Sequence, residues 1–116
     1  MYAVTVLVVK RPDVSTEPFR SWWLGEHLPY SVKLLGAVDH IVLPLDETLP
    51  RRTSTWSDAP PYDGIAVFLF ADRDAARSAM DYPKTPEHAS SVDAWIADVV
   101  VLGGAATLAL SSPSAS

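Results

Sequence analysis

Residues 2–10 read YAVTVLVVK, a valine-rich run with no breaker that suits a β-strand, and Arg11-Pro12-Asp13 turns the chain after it. Ser15 then caps a predicted helix, with Glu17 favourable and Pro18 tolerated in the first turn. Phe19, Trp23 and His27 recur at every fourth position, which places them along one face. Gly25 and Pro29 weaken or kink this helix near its middle, residues 30–35 continue it, and Gly36 stops it. A second strand is expected over 38–45. A third opens at Tyr62-Asp63-Gly64 and runs through Ala71, and Asp72 caps a helix over 74–81. Pro83 and Pro86 break that helix, a further helical stretch spans 87–96, and a fourth strand spans 99–110 with a candidate bulge at Gly103-Gly104. Residues 46–61 are rich in proline and polar side chains around a lone Trp56. They read as a loop longer than the usual limit of about 12–15 residues, and a mobile lid near a pocket mouth is expected of it.

The order β-α-β-(loop)-β-α-β predicts an α+β chain of the ferredoxin-like βαββαβ type, two split βαβ units with both helices on one face of an antiparallel sheet. One domain over residues 1–110 and a flexible C-terminal tail over 111–116 account for the whole pattern. Strand one offers Tyr2, Val4, Val6 and Val8 to one side and Ala3, Leu7 and Val9 to the other, and Ile65, Val67 and Leu69 alternate with Ala66, Phe68 and Phe70 in strand three. Both faces of the sheet are therefore apolar. Two helices cover one, so a second copy of the chain is expected to cover the other, giving a homodimer that closes as a dimeric α+β barrel.

At 116 residues, 48% hydrophobic and 20% charged, the chain is of single-domain size and composition. A net charge of −5, with basic residues scattered apart from Lys10-Arg11 and Arg51-Arg52, argues against nucleic acid as a partner. The absence of cysteine excludes disulfides, thiolate nucleophiles and cysteine-based zinc sites, and it fits a reducing, cytoplasmic setting. The longest apolar run is about half the ~20 residues of a membrane span and contains Gly-Gly, so no membrane crossing is expected. Three histidines without ligand spacing predict no metal site. The absence of a Gly-rich phosphate loop and of a G-x-S-x-G elbow removes nucleotide-dependent and serine-hydrolase readings.

Several features together resemble the EthD family of the dimeric α+β barrel superfamily: a first strand ending in Lys-Arg-Pro, a Ser-capped helix, the series Phe19-x3-Trp23-x3-His27-x-Pro29, Gly36 before a strand, and Asp63-Gly64 opening strand three. The resemblance implies a ferredoxin-like homodimer with a pocket in each subunit between helices and sheet, and it implies that His27, which matches the family's motif histidine, works in that pocket. It does not imply one reaction, because the wider superfamily includes polyketide cyclases, lactone isomerases and cofactor-free monooxygenases. The long loop before strand three and the Trp22-Trp23 pair depart from the family pattern.

Independently of the family, a histidine one turn beyond Trp23, on a helix facing the sheet, suits a general base. Trp22 and Trp23 point about 100° apart on a helix, so Trp23 is expected in core or pocket and Trp22 against the long loop or a dimer partner. Asp39 and His40 point to opposite faces of strand two, which excludes a dyad between them. His40 and Tyr62 are the remaining candidates for an acid, base or donor, while Asp63 reads as a turn former and His88 as a surface residue. Phe19, Trp23, Tyr30, Trp56 and Phe68 are the candidate substrate-binding residues. The expectation is a small cofactor-independent enzyme performing acid/base chemistry (cyclisation, dehydration or isomerisation) on a hydrophobic carbonyl-bearing metabolite such as a polyketide or aromatic catabolite. A cofactor-free monooxygenase and a non-catalytic metabolite-binding protein are the alternatives.

Overall fold

The computed structural model describes residues 1–47, 60–81 and 86–107, with the side chains of residues 34 and 86–89 outside that description. The expected lid with Trp56, the side chain of His88 and the 111–116 tail lie outside the described residues. Four strands, β1 (Tyr2–Lys10), β2 (Asp39–Pro44), β3 (Gly64–Phe70) and β4 (Ile96–Ala105), form one antiparallel sheet in the order β2-β3-β1-β4. Helical segments α1 (Thr16–Trp22) and α2 (Leu28–Leu35) precede β2, and α3 (Arg73–Met80) and α4 (Pro86–Trp95) connect β3 to β4. This is a ferredoxin-like α+β fold with the predicted element order. Among the described residues no helix is long and apolar enough to cross a membrane.

Between α1 and α2 the chain does not break but widens. Trp23–His27 form a π-helical turn in which the Leu28 N–H donates to the Trp23 carbonyl, five residues back. Pro29 supplies the reason, because it has no N–H to give and its ring crowds the carbonyl four residues earlier, in this case Gly25. The sequence predicted an irregularity here, and a π turn absorbs it without ending the helix. Gly36 ends α2 in the left-handed conformation, at φ 64°, which glycine adopts without steric penalty.

Two capping expectations turn out differently. Asp72 caps α3 through a 2.8 Å bond from the Ala75 N–H to Oδ1. Ser15 occupies the N-cap of α1 with an extended backbone but makes no side-chain cap bond. Pro18 stands at the third helical position, so one of the two N–H groups that such a serine normally reaches is missing.

Pairing of Val4 with Phe68 and of Val8 with Gly64 puts these residues on the helix-covered side, where Val4, Val8, Ala66, Phe68 and Phe70 are buried with Phe19, Trp22 and Trp23. Asp63 ties three strands together just before β3. Its Oδ2 accepts from the Lys10 N–H at 2.8 Å, its N–H donates to the Val8 carbonyl at 2.8 Å, and its carbonyl accepts from the Leu45 N–H at 3.0 Å. The turn-forming role expected of Asp63 is thus extended to a cross-strand brace.

The last strand begins three residues earlier than expected, directly after Trp95, and the bulge lies elsewhere. Pairing is continuous through Gly103 and Gly104, while the register shifts where Val9 faces Asp98 and Lys10 faces Ile96, leaving Ala97 as the extra residue. Gly103 answers a packing constraint instead: a Cβ there would stand 2.7 Å from the Tyr2 hydroxyl. Gly64 is more tightly constrained. A Cβ there would collide with Cη2 of Trp23, so the tip of the indole lies directly against the β3 backbone. Gly64→Ala is therefore expected to lower stability by about 1–3 kcal/mol through overpacking. Urea denaturation checks this, and a variant as stable as wild type would show that the indole has room to move.

Candidate active site

α1, the π turn and α2 lie so that consecutive tryptophans are both buried, contrary to the expectation that Trp22 would pack outside the core. Trp23 turns toward the sheet, over Gly64, and stacks on Phe19 with ring centroids 6.0 Å apart and planes at 16°. Trp22 turns toward α4. Its ring stacks on Trp95 at 5.5 Å and 8°, and its Nε1–H donates to Ser91 Oγ at 3.1 Å. A helix seated between a sheet and a second helix buries two directions at once, so a 100° separation places both rings in one core.

Trp22 has a further ring neighbour. The imidazole of His27 stacks on it at 4.8 Å and 23°. On a regular α-helix residues five apart point about 140° away from each other; the π turn between them closes that gap. His27 thus leaves the straight Phe19-Trp23 series and lies against the other tryptophan. The half-buried ring lines a cavity of about 310 Å³ between the helices and the sheet, and Nε2 stands 3.5 Å from Oγ of the buried Ser31, one turn further along α2. The remaining walls come from aliphatic and aromatic side chains, with Val6, Val8, Phe68 and Ile96 from the sheet and Met80 and Val92 from the second helical pair. Among the described lining residues only His27 and Ser31 bring an imidazole or a hydroxyl. Such a cavity can hold a flat apolar molecule and exchange a proton with it.

The other residues singled out from the sequence divide by position. Trp23 and Phe68 line this cavity, while Phe19 is fully buried behind Trp23 and supports it without reaching the space. Tyr30 is 43% exposed and does not line the cavity, because it points about 100° away from its neighbour Ser31, which does. His40 is on the helix-covered side of β2, opposite Phe68, but it lines a separate groove between α2 and β2, with Lys33, Val42 and Leu28. Its ring stacks on Phe68 at 6.5 Å and does not line the His27 cavity. Tyr62 is half-buried at the entrance to β3 and contributes to neither space. Trp56 lies outside the described residues. Ser31 was not anticipated, although its position four residues after His27 on the same helix was a visible signal. Among the described residues no group of three His, Asp or Glu side chains is placed to hold a metal ion.

The EthD domain model matches residues 11–98, most of the chain, including His27 and Ser31. The chain belongs to the EthD family. Solved structures agree in fold. An EthD family protein from Bacillus halodurans superposes with TM-score 0.66 at 12% identity, covering 92% of this chain and 100% of its own. A dimeric ferredoxin-like protein from Thermobifida fusca gives 0.53 at 16% identity, with 90% of each chain covered. A dimeric protein with a ferredoxin-like fold from Bacteroides fragilis gives 0.53 at 15%, covering 89% of this chain and 93% of its own. No curated protein is a significant match. In this EthD chain Trp22, the first of the two consecutive tryptophans, is the ring against which His27 stacks.

Removing the ring behind His27 is expected to cost the packing of a buried aromatic side chain. Trp22→Ala should lose about 3–5 kcal/mol of stability, as for a buried aromatic side chain, and Trp22→Phe should recover most of it. Chemical denaturation of both variants checks the values.

Proposed function

We propose that this EthD protein is an enzyme that moves protons on a hydrophobic, carbonyl-bearing compound, by cyclisation, dehydration or isomerisation, with His27 as the base. The observation that supports this reading is the pairing of His27 Nε2 with Ser31 Oγ as the proton-exchanging groups of an otherwise apolar cavity. Apolar walls keep bulk water away from the reacting carbon, and a volume of about 310 Å³ is near the lower end for small-molecule sites, which suits a flat ring system. A proton next to the substrate carbonyl passes to the imidazole, and charge develops on the carbonyl oxygen. The Ser31 hydroxyl, within reach of the same region, donates to that oxygen, the role first considered for His40 or Tyr62. The resulting imidazolium lies face to face with the Trp22 ring, whose negative π face favours a cation. The imidazolium then returns the proton to the carbon or to a leaving hydroxyl, so the step needs only groups of the chain and the substrate.

A bicyclic ketone with acidic α-hydrogens, 2-tetralone, provides a direct test in heavy water. Wild-type protein should accelerate deuterium uptake at the α-carbon, and His27→Gln, which keeps approximate volume and a hydrogen bond, should reduce the enzymatic rate by about 10²- to 10⁴-fold. Binding of the ketone should survive in the variant. An exchange rate unaffected by His27→Gln would overturn the assignment. Oxygen consumption coupled to turnover would give the carbanion's fate to dioxygen, and tight binding with no exchange would favour a binding protein.

We also propose that the working unit is a homodimer closed through the sheet face opposite the helices. Leu7 and Thr5 of β1 pair with Ile65 and Val67 of β3 on that face, where Ile41 is 56%, Leu43 49% and Leu102 55% exposed. A patch of this kind is unfavourable in water, and the two dimeric relatives of the same fold support covering it with a second copy. Leu7→Glu should give a monomer by sedimentation velocity, because it places a charge at the centre of the contact, whereas a monomeric wild type would refute the dimer.

A further inference from the structure

Among the described residues, the helices leave part of the sheet side they cover without a roof. Val99 and Val101 of β4 point to that side, in register with Val8 and Val6 of β1, yet they are 40% and 52% exposed. Two recesses follow one another along this strip. The His27 cavity is floored by Val8 and Val6 with Val99 and Val101; the next, of about 600 Å³, is floored by Val4 and Tyr2 with Val101 and Gly103. Met80 of α3 and Val101 of β4 belong to both. Together the recesses trace one face of β1 from residue 8 to residue 2, about 20 Å at ~3.3 Å per residue.

The second recess differs in chemistry from the first. Arg77 and Ser78 of α3 and Asp81, its C-cap, line it together with Tyr2, whose hydroxyl lies above Gly103, where a side chain would collide with it. Arg77 and Asp81 carry opposite charges at the same end of α3, and neither forms an ion pair among the described residues. A carboxylate entering here meets Asp81 and the carbonyl end of a helix, and an ammonium meets Arg77. An uncharged hydroxyl meets donors and acceptors alike: Arg77 and Tyr2 can donate, and Asp81, Ser78 and Tyr2 can accept.

We propose that the two recesses form one bipartite substrate cleft, and that the substrate is an elongated, uncharged molecule with its carbonyl end beside His27 and a phenolic or enolic hydroxyl beyond Met80, against Arg77, Ser78 and Asp81. This rests on the proton-transfer reading of His27 for the first compartment only. The polar compartment stands on its own residues.

Binding of three flavanones, followed by tryptophan fluorescence, tests the inference. Each has a ketone with adjacent hydrogens at one end, and the far ring carries a 4′-hydroxyl, a 4′-methoxy or a 4′-carboxylate group. The hydroxyl compound should bind about tenfold more tightly than either of the others, the size expected for one or two well-placed hydrogen bonds. Exposed Arg77 can be replaced without disturbing the core, and Arg77→Leu should remove the preference while leaving deuterium exchange into the shorter 2-tetralone unchanged. Asp81→Asn should relieve the rejection of the carboxylate. Met80→Trp, at the junction of the two compartments, should weaken binding of all three flavanones. Equal affinities for the three, no binding of any, or an unaltered preference in Arg77→Leu would each overturn the bipartite cleft. Loss of the 2-tetralone reaction alone, with the flavanone preference intact, would instead remove the role assigned to His27.

Discussion

The wide helical turn at Trp23–His27 is the constraint on which the site depends. Pro29 withholds the N–H that a regular α-helix would use at that point, and the chain answers with a hydrogen bond five residues back from Leu28 to Trp23. One added residue in the turn rotates everything after it relative to everything before it. His27 consequently meets Trp22, Ser31 reaches the same space from the following turn, and the tip of the Trp23 ring is left against Gly64. Backbone geometry here is translated directly into the orientation of an ionisable ring.

Packing on either side holds that orientation in place. Trp22 is pressed between His27 and Trp95 and hydrogen-bonded to Ser91, so the histidine is backed by a rigid aromatic wall rather than by solvent. Trp23 is held between Phe19 and the β3 backbone, which is possible only because residue 64 has no side chain. Rigid walls of this type limit reorganisation when charge appears on the ring, and their low polarity strengthens each hydrogen bond that remains.

The two sides of the sheet solve different problems. The side without helices presents aliphatic residues from all four strands and fits a protein surface. The helix side is sealed over β3 and part of β1 but open over β4, and that asymmetry makes room for a small molecule beside His27. Edge strands β2 and β4 thus flank two different spaces, with His40 in one and Val101 in the other.

Hydrophobic alternation and breakers determined the element order, the apolar character of both sheet faces, the stop at Gly36, the cap at Asp72 and the irregularity between Gly25 and Pro29, because each depends on residues close together in the chain. The spacing of Trp23 and His27 likewise marked the helix that carries the site. Tertiary structure decided the rest. Whether the irregularity would be a kink or a π turn depends on how the second half of the helix settles on the sheet and α4, and that choice assigns His27 to Trp22 rather than to the Trp23 series. Pairing register, set by contacts between distant segments, placed His40 and Tyr62 outside the His27 cavity, and the π turn brought Ser31 to it. The need for glycine at 64 and 103 arises from rings contributed by residues 41 and 101 positions away, a relation that no local pattern contains.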